Sequence, residues 1–152
     1  MRNTSRSPIF SADGRQDPLV ATLRVPANEW QVLATARPNV LLEGPESTLE
    51  ATLLVLETLM VDPVHRVRGG EPFTLPATAI GTLVVEHADR LSSEEQSVVM
   101  SWVTERQAGL QVISTSTRRL FTMTNDDRFS ATLYYRLNVV RLALFDERDA
   151  SV

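Results

Sequence analysis

The chain has 152 residues, about the size of one domain and long enough to bury a single hydrophobic core. Hydrophobic residues make up 43% and charged residues 22%, and the net charge of −4 argues against nonspecific nucleic-acid binding, which needs a basic face. The absence of Cys excludes disulfides, thiolate catalysis and Cys-ligated zinc, and two His residues, His65 and His87, are too few for a His-rich metal site.

The N-terminal part of the chain is expected to be irregular. Residues 1–18 are rich in polar residues, Gly and Pro, and are predicted to form a flexible arm. They contain no apolar segment typical of a secretory signal, and no run in the chain approaches the ~20 apolar residues of a membrane span. The expected location is therefore the cytoplasm. Residues 19–37 carry a partial helical pattern that Pro26 interrupts.

A strand and a helix are predicted next. Residues 39–42 form a short apolar run before Gly44, which is typical of a buried strand followed by a turn. Ser47 is predicted to begin a helix, because leucines follow it at helical spacing. Glu50, three residues after Ser47, completes the pattern of a capping box. The Asp-Pro pair that ends at Pro63 is predicted to stop this helix.

The rest of the chain continues the alternation. Ser92 and Glu95 form a second capping-box pattern, and Gly109 is a suitable residue for the end of the helix that follows. The other predicted segments are strands at 64–68, 82–86, 110–115 and 139–144, a connector at 71–80, a polar loop at 116–128 in which a short helix is possible, and a helical turn at 130–135. Alternating strands and helices favour a parallel sheet with helices on its faces.

Several large side chains are expected to be packed. Four residues of the helix after Ser92 are expected to share one apolar face: Val98, Val99, Trp102 and Val103. Trp30 is expected in the core or at a subunit contact, and Tyr134 and Tyr135 are expected to serve in packing.

Four segments in order resemble the AAA+ sigma-54 interaction domain of bacterial enhancer-binding transcription activators. Residues 127–140, D-R-F-S-A-T-L-Y-Y-R-L-N-V-V, are similar to the family's G-R-F-R-E-D-L-Y-Y-R-L-N-V-V. Residues 112–118, V-I-S-T-S-T-R, resemble V-I-A-A-T-N-R, and the spacing between these two blocks matches without a gap. Residues 81–89, G-T-L-V-V-E-H-A-D, are similar to G-T-L-F-L-D-E-I-G, and residues 39–44, N-V-L-L-E-G, resemble the strand and first Gly of the P-loop.

The resemblance covers roughly residues 30–148, and it implies a three-layer AAA+ core: a parallel sheet of the P-loop NTPase type flanked by helices. The helical lid and the DNA-binding helix-turn-helix of the family are expected to be absent. The predicted organisation is the arm 1–18, a degenerate core at 19–148 and a tail at 149–152.

The P-loop motif G-x-x-x-x-G-K-[ST] is altered at its phosphate-binding positions. Glycines let the backbone wrap the phosphates, and Lys neutralises them. Gly44 keeps the first position, but Leu49 replaces the second Gly, Glu50 the Lys and Ala51 the hydroxyl residue. All fifteen basic residues are Arg, so no Lys is available elsewhere in the chain. Glu50 is expected to hydrogen-bond the helix N-terminus that would otherwise hold phosphate, and binding of ATP and magnesium is not expected.

The other nucleotide-site positions of the family are changed as well. The resemblance places Glu86 and His87 where the family has an Asp for magnesium and a Glu that activates water. Glu86 could still bind a metal and His87 could act as a base, but without placed phosphates a solvated or hydrogen-bonded His87 is favoured and no metal site is predicted. Thr117 stands where the family's sensor Asn orients a water.

The resemblance also points to a contact between subunits. Two Arg of the R-F-R-E-D-L-Y-Y-R-L block serve a neighbouring subunit's nucleotide in the family. The first is Ser130 here, and the second is retained as Arg136. Arg136 is therefore a candidate interface residue, with a plain surface ion pair as the alternative. Arg128 matches a family residue not usually given that role. The family's G-A-F-T-G-A loop, which contacts sigma-54, has no counterpart between residues 62 and 80.

These observations predict a transcription-regulation protein that lacks ATPase activity and contacts an intact AAA+ activator or itself, without direct DNA or membrane binding. Residual ATP binding and hydrolysis, which Glu86, His87 and Arg136 would carry, is the alternative. A repurposed or relic binding module is the third hypothesis. Two capping boxes, amphipathic helices and apolar strands indicate a sequence that still specifies a fold.

Overall fold

The computed structural model describes residues 27–77, 80–104 and 110–145, which form a sheet between two layers of helices. The strands are β1 (Val40–Glu43), β2 (Val64–Arg68), β3 (Thr82–Glu86), β4 (Gln111–Ser116) and β5 (Val140–Ala143). The helices are α1 (Ala27–Ala36), α2 (Glu46–Leu56), α3 (Ser93–Thr104), α4 (Leu120–Asn125) and α5 (Ala131–Leu137), with 3-10 turns at Glu57–Leu59 and Ala88–Arg90.

All five strands are parallel, in the spatial order β2-β3-β4-β1-β5, which confirms the predicted sheet. Strand β1 lies between β4 and β5, and Val40 is in register with Ile113 on one side and Val140 on the other. Since the strands are parallel, their carboxyl ends meet at one edge of the sheet. Ligands of open α/β sheets bind at this edge.

Each face of the sheet has its own apolar core, because successive side chains of a strand point to opposite faces. On one face, Trp30 and Leu33 of α1 and several residues of α2 pack against Val40 and Leu42. On the other face, α3, α4 and α5 pack against Leu41 and Leu83. Two layers of helices enclosing a parallel sheet make the predicted three-layer α/β fold.

The two predicted capping boxes have different outcomes. At the start of α3, Ser92 Oγ accepts a hydrogen bond from the Glu95 N–H (3.1 Å), and Glu95 Oε1 accepts one from the Ser92 N–H (2.8 Å), so this box is confirmed. The box at Ser47 and Glu50 is wrong. Helix α2 begins one residue earlier, at Glu46, with Pro45 in the N-cap position and no side-chain cap. Pro45 has the extended backbone of an N-cap residue (φ −63°, ψ 150°), and its ring fixes φ near this value.

Some packing predictions also need correction. Val98 does not share the buried face of α3, since it is 52% exposed, whereas Val99 and Val103 are buried. Tyr134 is buried, whereas Tyr135 is 65% exposed and packs through an edge contact of its ring with the Tyr134 ring, 5.2 Å between centroids. Trp30 is fully buried, as expected for a core residue, and Trp102 is half-buried and donates its indole N–H to the Pro76 carbonyl (2.8 Å).

The strand and loop boundaries agree with the sequence to within one or two residues. The segment predicted as a loop at 116–128 contains the short helix α4, and the predicted helical turn is helix α5. The predicted arm 1–18, the helix end near Gly109 and the tail 149–152 lie outside the described residues. Within the described ranges, no helix combines the length and the hydrophobicity needed to cross a membrane.

Candidate functional site

The turn between β1 and α2 is the place where a P-loop would lie, and it is too short to surround phosphates. Strand β1 ends at Glu43, and helix α2 begins at Glu46, so that only Gly44 and Pro45 connect them. A P-loop cradles phosphates with successive backbone N–H groups of a longer glycine-rich loop. Here the N–H of Leu49 is already committed to the helix, since it donates to the Pro45 carbonyl (2.9 Å).

The side chains at the altered P-loop positions fit a helix and not a phosphate site. Leu49 is buried in the core under α2, where the motif requires a Gly. Glu50 is exposed on the first turns of α2. It makes no capping hydrogen bond, which corrects the expectation that Glu50 closes the helix N-terminus. The residues present therefore do not fit the triphosphate of a nucleotide.

The carboxylate that lies at the N-terminus of α2 belongs to Glu46. Its Oε1 is 3.0 Å from Nε2 of His87 and 3.5 Å from Nη2 of Arg68, at the end of β2. A negative group in the first turn of a helix is stabilised by the partial positive charge there. The protein thus places its own anion, with a cationic partner from another strand, where an AAA+ domain would receive phosphate.

His87 is held in this cluster by its backbone. It adopts a left-handed conformation (φ 54°, ψ 52°), is buried, and its N–H donates to Thr115 Oγ1 (3.0 Å). Nε2 lies 2.7 Å from Arg68 Nη2 as well as 3.0 Å from Glu46, so one tautomer accepts from Arg68 and the other donates to Glu46. Nδ1 is buried and has no hydrogen-bond partner in the described part of the chain.

Gly69 permits this arrangement, because the His87 carbonyl oxygen passes directly beside its Cα. A Cβ on residue 69 would collide with that oxygen. The Gly69 N–H also donates to the Glu86 carbonyl (2.8 Å), which extends the pairing of β2 with β3.

Glu86 is paired with an arginine of β2. Its Oε2 lies 3.7 Å from Nη1 of Arg66, which also pairs with Glu57 at the end of α2. Arg66 and Arg68 are alternate residues of β2, so they share the sheet face that α2 covers. Within the described ranges, no group of three or more His, Asp or Glu residues is placed to hold a metal ion.

Thr117 is bound to a residue that the sequence motifs did not single out. Its Oγ1 donates to Asp89 Oδ2 (3.2 Å), and its N–H donates to Asp89 Oδ1 (3.4 Å). Asp89 stands where the family segment G-T-L-F-L-D-E-I-G ends in Gly, and that departure is a sequence signal that could have identified it. Thr117 is therefore engaged in a structural contact at the position of the sensor.

Gly44 serves the packing of β5. Its N–H donates to the Ser116 carbonyl (3.1 Å), and a Cβ at this position would lie 2.9 Å from Cβ of Leu144. Only a residue without a Cβ lets the chain after β5 approach the end of β1 this closely.

Glu43, the last residue of β1, is a second carboxylate that sequence analysis missed. It is fully buried, and its Oε2 accepts from the Leu120 N–H (2.8 Å) while its Oε1 accepts from Nη1 of Arg141 (3.3 Å). Desolvation raises the pKa of Glu43 above its usual value, and the Leu120 hydrogen bond and the charges of Arg141 and Arg119 oppose that rise. A charged residue closing an apolar strand was the available sequence signal.

The two candidate interface arginines lie on α5 and in the loop before it. Arg136 is exposed on α5, and its side chain makes no ion pair with any residue in the described ranges. Arg128 lies in the loop between α4 and α5 and pairs with Asp126 (3.3 Å), where both side chains are more than half exposed. Such a pair contributes little to stability.

The fold and the site together define an α/β domain of the P-loop NTPase type with a shortened phosphate loop. The family model described as the Sigma-54 interaction domain matches residues 34–146, and the chain belongs to this family. The resemblance stated from the four sequence segments is thereby confirmed.

Solved structures support the fold assignment. NtrX from Brucella abortus in complex with ATP is 17% identical with a TM-score of 0.66, and the match covers 87% of this chain and 38% of that one. The P-loop NTPase domain of the sigma-54 transport activator from E. coli is 18% identical with a TM-score of 0.51, over 76% of this chain and 94% of that one. This chain thus spans well under half the length of NtrX. No curated protein sequence matches the chain.

Proposed function

We propose that this chain is a sigma-54-activator-like domain that does not hydrolyse ATP and that acts by protein–protein contact with an intact AAA+ activator. The Glu46 carboxylate at the N-terminus of α2 carries the proposal, since it lies 3.0 Å from His87 in the position of the phosphates. Phosphoryl transfer depends on positioned cationic groups that compensate the charge of the phosphates. A carboxylate there repels a triphosphate, and a two-residue turn cannot wrap it.

The contact with a partner is assigned to the α5 surface, which consists of Tyr135, Arg136 and Val139. Tyr135 is 65% exposed and Val139 is 62% exposed, and Arg136 lies between them on the chain. Tyr and Arg are enriched among the residues that dominate binding energy at interfaces. A head-to-tail ring presents the same face of every protomer to its neighbour, so a protomer without ATP chemistry can join or cap such a ring.

The absence of nucleotide binding is tested by titration calorimetry with magnesium and ATP at millimolar concentrations. We expect no saturable heat, because the Glu46 carboxylate lies where the phosphates would bind and the chain has no lysine to neutralise them. Saturable binding that Glu46→Gln does not strengthen would overturn this part of the proposal and favour residual ATP chemistry.

The partner is sought by co-purification of the tagged chain from its native host. Recovery of an intact sigma-54 activator supports the proposal. Recovery of no AAA+ protein by a well-folded bait overturns it and leaves the repurposed module.

The role of Arg136 is then measured on the ATPase rate of the recovered activator. We expect the chain to change that rate, and Arg136→Ala to remove the change. Arg90→Ala is the matched control, since Arg90 is also exposed but lies outside the α5 surface. If Arg136→Ala and Arg90→Ala both act like the unchanged chain, Arg136 has no role in the contact.

A further inference from the structure

A second cationic region lies at the same edge of the sheet, beyond β4. A cavity of about 250 Å³ is lined by three arginines, two threonines and two apolar side chains: Thr117, Arg118, Arg119, Thr122, Met123, Arg128 and Phe145. Among the residues that the structure describes, no carboxylate lines it. From this lining we infer that the cavity is a binding site for a phosphate group, separate from the closed nucleotide site at α2.

The three guanidinium groups come from two loops that are fixed independently. The backbone of Arg118 is held by the buried Ser116, whose Oγ donates to the Arg118 carbonyl (2.6 Å) and accepts from its N–H (3.0 Å). The N–H of Arg128 donates to the Met123 carbonyl (2.9 Å), and the carbonyl of Arg128 accepts from the buried Gln96 (3.3 Å). The backbone segments that carry Arg118 and Arg128 are therefore fixed before any ligand arrives, which lowers the entropic cost of binding.

Arg119 is oriented by the ring of Phe145. Its Cζ lies 4.6 Å from the centre of the Phe145 ring, in the geometry of a cation–π contact. The charge of Arg119 also helps to lower the pKa of the buried Glu43, against the rise that desolvation causes. The Phe145 ring thus forms one wall of the cavity and holds a guanidinium against it.

The nearby carboxylates leave net positive charge in the cavity. Asp126 pairs with Arg128 at 3.3 Å, and Asp89 accepts the two hydrogen bonds of Thr117. The side chain of Arg118 is exposed and makes no ion pair with any residue that the structure describes. Phosphate fits this surplus better than a carboxylate does, because a phosphate monoester carries about −1.5 to −2 charge and three acceptor oxygens. Guanidinium groups match those oxygens in a bidentate geometry.

The size of the cavity limits the ligand. Pockets for drug-sized ligands span roughly 300–1,000 Å³, so a cavity of about 250 Å³ suits one phosphate group with little attached to it. The phosphate can belong to a small ester or to a phosphorylated side chain, and the two sources share this chemistry.

The site is tested with the full chain by calorimetry, using inorganic phosphate and a phosphoserine peptide against chloride at equal ionic strength. We expect saturable binding of phosphate and weakening by about tenfold in Arg118→Gln and in Arg128→Gln, because each loses one charge-assisted hydrogen bond. If the peptide binds more tightly than free phosphate, the natural ligand is a phosphorylated side chain. If free phosphate binds more tightly than the peptide, the natural ligand is a small phosphate ester.

Arg90→Gln is the matched control, since it removes the same charge from an exposed arginine outside the cavity. A second variant converts Asp146, Glu147 and Asp149 to their amides. It retains the three arginines and excludes competition from the acidic residues that follow Phe145 in the sequence.

The inference is overturned if neither inorganic phosphate nor the phosphoserine peptide gives saturable heat with either protein, the unchanged chain or the amide variant. It is equally overturned if Arg90→Gln weakens binding as much as Arg118→Gln does, since the effect is then one of net charge. Thermal unfolding of each variant confirms that it is folded before its affinity is compared.

Discussion

The two halves of the sheet's carboxyl edge have opposite charge balance. At the ends of β2 and β3, arginines form ion pairs with carboxylates of the chain itself. Arg68, for example, pairs with Glu46 and with Glu71. Beyond β4, the arginines that line the cavity have one exposed carboxylate partner in the described structure, Asp126. The edge that receives nucleotide in related folds is neutralised internally here, and the unbalanced positive charge lies further along the sheet.

The turn between β1 and α2 departs from the P-loop motif in more than the missing lysine. Helix α2 starts right after Pro45, its second-glycine position packs into the core as Leu49, and its first turn carries a paired carboxylate. Backbone, packing and charge at this turn therefore all differ from what the P-loop motif requires.

The largest effect is expected from an attempt to rebuild the motif with Leu49→Gly, Glu50→Lys and Ala51→Ser combined. Removal of a buried leucine and insertion of Gly into a helix are expected to lower the free energy of unfolding by about 3–5 kcal/mol, measured by urea denaturation. Glu50→Lys alone is the control and should stay within about 0.5 kcal/mol, because Glu50 is exposed. Unchanged stability together with new ATP binding would show that α2 does not begin at Glu46.

The second effect concerns the buried Glu43. Its pKa is raised in the folded state, so the folded chain holds this proton to higher pH than the unfolded chain does. The stability that this bound proton contributes is fully present below the pKa of Glu43 in the unfolded chain. It is lost as the pH rises through the pKa of Glu43 in the folded chain.

Urea unfolding of the chain and of Glu43→Gln at pH 5 and pH 8 measures this difference. The chain should lose more stability than the variant does between the two pH values. Glu43→Ala should cost about 1–3 kcal/mol more than Glu43→Gln, because it leaves the buried Leu120 N–H without its acceptor. Parallel pH profiles for the chain and Glu43→Gln would contradict the assignment.

A smaller effect on stability is expected from substitutions at the starts of α3 and α2. Ser92→Ala should lower the free energy of unfolding by about 1 kcal/mol, since Ser92 caps α3 through the Glu95 N–H. Ser47→Ala should change it by less than about 0.5 kcal/mol, because Ser47 caps nothing. Equal losses would indicate that α2 begins at Ser47 after all.

The smallest effect is expected for the Glu46–Arg68 pair. Both side chains are more than 40% exposed, so a double-mutant cycle with Glu46→Gln and Arg68→Gln should give a coupling of about 0.2–1 kcal/mol. The coupling should fall at high salt, where exposed charges are screened. A coupling that salt does not affect would mean that the cluster is more deeply buried than the structure shows.

Much of the architecture followed from local sequence patterns. The apolar runs at 39–42 and 82–86 predicted strands β1 and β3, and the capping box at Ser92 predicted the start of α3. These signals act between near neighbours in the chain, so the sequence carries them directly. The capping box predicted at Ser47 is wrong because the helix start depends on a long-range contact. The Gly44 N–H donates to the carbonyl of Ser116 in β4, and this bond fixes the turn before α2.

The missing P-loop lysine, and the order of segments found in the sigma-54 interaction domain, can also be read from the residues alone. Which charges meet depends instead on how the strands are arranged in the sheet. Glu46 reaches Arg68 and His87, and Glu43 reaches Arg141, because the strand order brings together residues about 20 to 100 positions apart. The partner of a charge depends on such long-range placement, and no local pattern encodes it.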